Sequence, residues 1–247
     1  MIGVNEMISY EKAIQIAKTF ADEIARLFPD KVEAVFVIGS LGSDYYREGQ
    51  SDIDTAVILK CNREEMKSIK KQIRMIADRY WHEYEVPKGF GAIVFAKEQL
   101  YPPYIKEEEL ILEILRLKTQ SKLIWGTFDT SQVPKPDKEA IVNDALNFQE
   151  WSDEQPEFTH TVQTMVNSTL IALKRYLMIQ CDIIEFNKFK VIKTYMDNNP
   201  PILHEELFAF IQNVLNENQQ EWNEQIREKY TKWHDEIYRV INEIVLY

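Results

Sequence analysis

The sequence predicts an α+β protein: a small mixed sheet with helices in the first half, then an all-α helical bundle. Three observations predict this class. Short β-branched runs at 32–38, 53–59 and 90–95 alternate with segments whose apolar residues recur at i, i+3 and i+4. Thr127 to Asp137 is polar and carries Pro134 and Pro136, the composition of a linker. Beyond it there is almost no strand-like alternation, and one helical stripe follows another. Two domains are therefore expected, 1–128 and 129–247.

Taken in order, Ser9 is placed to cap a helix running to Leu27, with Ala13, Ala17, Phe20, Ala21, Ile24, Leu27 and Phe28 as its apolar stripe. Pro29-Asp30 ends it. Val32 to Ile38 is a strand, and Ile53 to Leu59 a second. Asn62 with Glu65 three residues on reads as a capping box, opening a helix that buries Met66, Ile69, Ile73, Ile76, Ala77 and Tyr80. Pro87-Lys88-Gly89 breaks the chain before a strand at Phe90 to Phe95. A turn over Glu98 to Tyr104, a helix over Glu107 to Lys118 and a short strand at Leu123 to Gly126 follow. The helices are expected on one face of this sheet.

In the second half, helices are predicted at Lys138 to Trp151, Phe158 to Ile179, Lys188 to Met196, Leu203 to Leu215 and Glu221 to Leu246. The last carries a long stripe of Trp222, Ile226, Trp233, Ile237, Val240, Ile241 and Ile244. Such stripes most simply pack on one another as a bundle. A homodimer interface is the lesser use for one of them.

Composition narrows the function. The 247-residue chain has a net charge of −11 and scattered lysines, with no basic stripe to neutralise phosphates, which argues against nucleic acid. No apolar run approaches the ~20 residues of a membrane span, and no signal-like N-terminus is visible. Cys61 and Cys181 lack metal or redox spacing. A cytoplasmic protein acting on a small or cationic molecule is the expectation.

The chemistry concentrates at Val35-Phe36-Val37-Ile38-Gly39-Ser40-Leu41-Gly42-Ser43, followed by Ser51-Asp52-Ile53-Asp54. On a strand, Asp52 and Asp54 project from one face while Ile53, Val57 and Leu59 pack the other. Two carboxylates this close repel unless a cation sits between them. Mg²⁺ or Mn²⁺ suits, taking one or two carboxylates plus substrate phosphates. Glycine at a strand end lets backbone approach a ligand. A helix turn at Leu41 to Asp44 would aim free N–H groups and the Ser40 hydroxyl at an anion. Together these point to a metal–nucleoside triphosphate site; the alternative is a hairpin with two solvated aspartates.

Gly39-Ser40 and Ser51-Asp52-Ile53-Asp54, each on a strand-like run, resemble the signature of the DNA polymerase β-type nucleotidyltransferases, which include small enzymes acting on aminoglycosides and lincosamides. Lys122 to Gly126 resembles the segment at that family's domain junction, and Thr169 to Leu177 with Glu185 to Lys188 loosely resembles its helix and Ser-Lys turn. The resemblance implies a catalytic domain followed by a helical, acceptor-binding one. It implies transfer of a nucleoside monophosphate, AMP from ATP foremost or another NTP, to a hydroxyl of a small molecule. Asp52 and Asp54 would be the catalytic metal ligands; Gly39, Ser40, Ser51 and Lys188 would bind nucleotide.

Two departures stand out. The family's later strand usually carries a third carboxylate, whereas Phe90 to Phe95 has none; Glu83, Glu85 and Glu98 flank it, and Asp144 or Glu150 are distant candidates for a base. An arginine often follows Gly-Ser, and here the nearest is Arg47. The missing carboxylate favours, as the alternative, a degenerate nucleotide-binding regulatory or interaction protein; a protein-nucleotidylating enzyme is a third option.

Overall fold

The computed structural model describes residues 7–43, 45–104, 111–153, 161–198, 200, 202–216 and 223–243, with backbone alone for 150–153. They form two compact units, Met1–Lys135 and Pro136–Tyr247.

The first unit is built on four strands, β1 (Val32–Ile38), β2 (Ile53–Leu59), β3 (Phe90–Ala96) and β4 (Ser121–Gly126), in the order β3-β2-β1-β4. β1 runs antiparallel to both β2 and β4, and β2 runs parallel to β3. The parallel pair needs a long crossover, supplied by α3 (Arg63–Glu83). The sheet is therefore mixed, as predicted.

The two helices that flank β1 and β2 begin at the caps the sequence marks. Ser9 Oγ accepts the Lys12 amide at the start of α1 (Tyr10–Leu27). Asn62 Oδ1 accepts the Glu65 amide at the start of α3. α1 and α3 cover one face of the sheet, burying Ala13, Phe20, Ile24, Ile69, Ile73 and Tyr80 against Val35, Val37, Ile53 and Val57. Leu27 departs from its predicted place: at the last turn it is half exposed, while Ile16 joins the core.

The expectation of helices on one face is corrected. α4 (Ile111–Thr119) packs on the opposite face, where Ile114 and Leu117 meet Phe36, Ile38, Ala56 and Ile58. Those strand residues are as apolar as their neighbours, so both faces need cover. Residues 107–110 of the predicted helix lie outside the described residues.

Among the described residues of the second unit the regular elements are all helices: α5 (Lys138–Asp153), α6 (Val162–Gln180), α7 (Val191–Asp197), α8 (Glu205–Leu215) and α9 (Glu224–Glu243). α6 is buried on most sides, by α5, α7 and α9. In α9 the inward face is Tyr230, Trp233, His234, Ile237, Tyr238 and Ile241. Trp222, Ile244 and the predicted start at Phe158 lie outside the described residues. Among the described residues no helix is long and apolar enough to cross a membrane.

Candidate active site

Ile38 is the last residue of β1, and its neighbours locate the site. It pairs with Asp54 of β2 on one side and with Ser121 of β4 on the other. Directly opposed residues share a face, so Asp54 lies on the face that Ile38 and α4 share. Asp54 in turn pairs with Gly91 of the parallel strand β3. The register thus lines up Gly91, Asp54, Ile38 and Ser121 across the sheet.

Gly39 turns the chain out of β1 at φ +65°, a left-handed value that side chains rarely adopt. α2 (Gly39–Gly42) consequently starts two residues before the predicted turn at Leu41. Asp44 lies outside the described residues. Ser43 Oγ donates to the Gly39 carbonyl at 2.5 Å and closes the turn. The Ser40 hydroxyl oxygen is buried and has no hydrogen-bond partner among the described residues. An orphaned buried hydroxyl costs about 1–3 kcal/mol, so a ligand accepting or donating there would recover that cost.

Glycine on both sides gives Asp54 its space. A Cβ on Gly39 would stand 3.4 Å from one Asp54 carboxylate oxygen, and a Cβ on Gly91 would stand 2.5 Å from the other. The Asp54 carboxylate fills the place a side chain at 91 would need. Burial first, then the charges of Asp52 and Glu113, raise its pKa from 3.8 to about 7 against the opposing pull of Arg116. Asp54 therefore holds a proton readily, the behaviour of a desolvated carboxyl with a like charge beside it.

Asp52 precedes β2 and is partly exposed. Its placement depends on the loop before it. Ser51 Oγ accepts the Arg47 amide at 3.0 Å, and the Ser51 amide donates to the Arg47 carbonyl at 2.9 Å. Ser51 therefore braces the loop that delivers Asp52. Lys188 belongs to the second unit, in the turn before α7, with its ammonium 5.3 Å from the Phe189 ring centre.

The residues missed by sequence reasoning are Glu113 and Arg116, one turn apart on α4. Their side chains approach to 3.0 Å and are each about four-fifths buried (22% and 21% exposed). Burial works against the Arg116 charge, but Glu113, then Asp54, Tyr45 and Asp52, more than offset it and raise its pKa. Arg116 of α4 is thus a cation acting on Asp54. A charged pair at i, i+3 inside an otherwise apolar helix was the available signal.

Asp144 is not free to act as a base. Its Oδ2 accepts both Nε (2.9 Å) and Nη2 (2.6 Å) of Arg175, and both side chains are at most 5% exposed. The Glu150 side chain lies outside the described residues. Among the described residues no cluster of three or more His, Cys, Asp or Glu side chains is arranged to hold a metal. Asp52 and Asp54 offer hard carboxylate oxygens, a chemistry that would fit Mg²⁺ bound jointly by protein and phosphates rather than caged by protein.

Comparisons with known proteins bear on the family and the fold. The nucleotidyltransferase domain family matches residues 17–123, a span that holds both aspartates and the Gly-Ser turn. No curated protein sequence matches the chain. Among solved structures, the chain is similar to spectinomycin adenyltransferase AAD(9) from Enterococcus faecialis, solved with ATP and spectinomycin. The TM-score is 0.61 at 15% identity, covering 92% of this chain and 98% of that one. A toxin–antitoxin structure with AMP-PNP is similar at a TM-score of 0.30 and 15% identity, covering 56% of this chain and 91% of that one. Residues 17–123 thus match the nucleotidyltransferase domain family, and the chain shares its fold with that adenyltransferase.

Proposed function

We propose that this protein transfers a nucleoside monophosphate, AMP from ATP foremost, to a hydroxyl of a small molecule, in a reaction that depends on Mg²⁺ or Mn²⁺. The observation that carries the reading is Asp54, set beside Asp52 with glycine backbone on both sides and an excess of negative charge around it. A protein rarely keeps such an arrangement for stability, because uncompensated carboxylates cost free energy.

In this reading Asp52 and Asp54 hold the metal, and the Gly39 turn with the Ser40 hydroxyl takes the triphosphate. The bound metal supplies charge neutralisation for the attacking and leaving oxygens. The acceptor oxygen attacks the α-phosphorus in line, its bond to phosphorus forms as the bond to pyrophosphate breaks, and the hydroxyl proton is released to water. The chain contributes position and charge, the main components of phosphoryl-type transfer. The helical second domain is assigned to the acceptor, by analogy with the adenyltransferase that shares the fold and was solved with spectinomycin. Lys188 is kept as a nucleotide contact in this proposal.

A second reading has its own observation. Gly91 sits opposite Asp54 and the rest of β3 also lacks a carboxylate. Without a positioned base, a rate loss of ~10²–10⁴-fold is normal, so a nucleotide-binding protein with little turnover is the competing function.

The test is pyrophosphate release from ATP, and then other triphosphates, with Mg²⁺ or Mn²⁺ and a panel of aminoglycosides, lincosamides and metabolites. Release that needs an added acceptor and falls at least ~10³-fold in Asp52→Asn supports transfer. Metal-dependent nucleotide binding without release, across the panel, supports the second reading instead.

A further inference from the structure

Resting on the metal-dependent reading above, we propose that Arg116 is a positioning residue: a built-in counter-ion that holds Asp52 and Asp54 together in the metal-free protein and sets how tightly they take a divalent cation.

Geometry places it there. α4 leads straight into β4: the Gln120 amide donates to the Arg116 carbonyl at 2.7 Å, and Ser121 Oγ donates to the Leu117 carbonyl at 2.6 Å. Ser121 pairs with Ile38, and Ile38 pairs with Asp54. The last turn of α4 therefore stands at the same end of the sheet as Asp54. It is also on the same face, since Ile114 and Leu117 pack against Ile38, Ala56 and Ile58. Glu113 lies one turn back, 3.0 Å from the guanidinium.

Charge balance then explains why an arginine belongs there. Asp52, Asp54 and Glu113, all ionised, contribute three negative charges, and Arg116 returns one positive charge. The remainder is two negative charges, the complement of one divalent ion. Without the Arg116 charge the carboxylates would repel more strongly and draw a metal more tightly; with a second cation beside them, a metal would gain little by entering, and Lys118, the other cation of α4, is turned instead to the carbonyls of Thr130, Ser131 and Val133. Glu113 acts through the guanidinium it holds, and the described geometry does not make it a third ligand.

The two charges make opposite predictions, which a purely structural role would not. Mn²⁺ binding to the full-length protein, without nucleotide, is measured by calorimetry in the wild type and in Arg116→Met, Arg116→Lys, Glu113→Gln and Asp52→Asn, with circular dichroism as the check on folding. The expected result is binding roughly tenfold tighter in Arg116→Met, near the wild type in Arg116→Lys, and several-fold weaker in Glu113→Gln. Weaker or unchanged binding in a folded Arg116→Met overturns the proposal. Should Arg116→Met not fold, the decision passes to the others: Arg116→Lys weakened as much as Asp52→Asn, or Glu113→Gln bound more tightly than wild type, overturns it. A wild type that binds no Mn²⁺, or binds it equally after Asp52→Asn, removes the metal-dependent reading itself and this inference with it.

Discussion

Each unit of this protein buries an acidic group beside an arginine, and the two arrangements differ in kind. In the helical unit, Asp144 of α5 receives two hydrogen bonds from Arg175 of α6, and the guanidinium lies 4.6 Å from the Phe148 ring centre. One acid meets one base, out of water, and the two charges cancel. In the sheet unit, Arg116 answers to Glu113, Asp54 and Asp52 together, and Asp54 remains hard to ionise. Burial alone does not mark a site; an unbalanced charge that the fold nevertheless holds in place does.

Breaking the balanced pair has the largest expected effect. Asp144→Ala strands a buried guanidinium and is expected to cost about 3–5 kcal/mol, read as a fall in the denaturant midpoint. A loss below about 1 kcal/mol would mean that the pair is not the closed structural unit described.

Gly91→Ala comes next. The new methyl group would need the space of the Asp54 carboxylate, and overpacking of this kind costs about 1–3 kcal/mol. Mn²⁺ affinity should fall with it, which separates displacement of Asp54 from a general weakening of the sheet.

The unbalanced site should then show the opposite sign. Asp54 has a folded-state pKa raised from 3.8 to about 7. Between those values the folded state holds more protons than the unfolded state, so metal-free stability falls as pH rises through that window and is level above it. Asp54→Asn removes the fall and should gain on the order of 2 kcal/mol at pH 8 relative to the wild type. Unfolding curves at pH 4 and pH 8 with chelator present check this; an asparagine variant that is less stable at pH 8 would contradict it.

The smallest effect calibrates the comparison. Asn62→Ala at α3 and Thr161→Ala at α6 each remove one N-cap hydrogen bond and should cost about 1 kcal/mol apiece. Differential scanning calorimetry should find no difference in kind between the units here.

Much of the fold could be read directly. β1 and β2 begin and end where their β-branched runs do, and α1 and α3 start at the caps that Ser9 and Asn62 announce. The second-unit helices appear near their predicted positions, with α7 opening at Val191 rather than Lys188 because Asn187 and Lys188 turn first. What stayed hidden depends on spatial neighbours. Nothing in Glu113 to Arg116 says which face of a sheet a helix will cover, so their approach to Asp54 could not be read. Asp144 looked available for the same reason: its partner lies 31 positions away in the chain.

The row that joins Gly91, Asp54, Ile38 and Ser121 also bears on how the site comes into being. Its members are drawn from β1, β2, β3 and β4, and Arg116 from the helix that precedes the last of these. Pairings of such long sequence separation are slow to form, because loop-closure entropy is spent before contact is gained. Local helical turns such as those of α6 and α9 face no such delay. Asp54 therefore meets Gly91 and Arg116 only once the sheet has closed, and the charge that Glu113 brings to the two aspartates falls on the final steps of assembly. A divalent cation that bridges them would act on the native state alone, slowing its opening while leaving the early collapse of the chain unchanged.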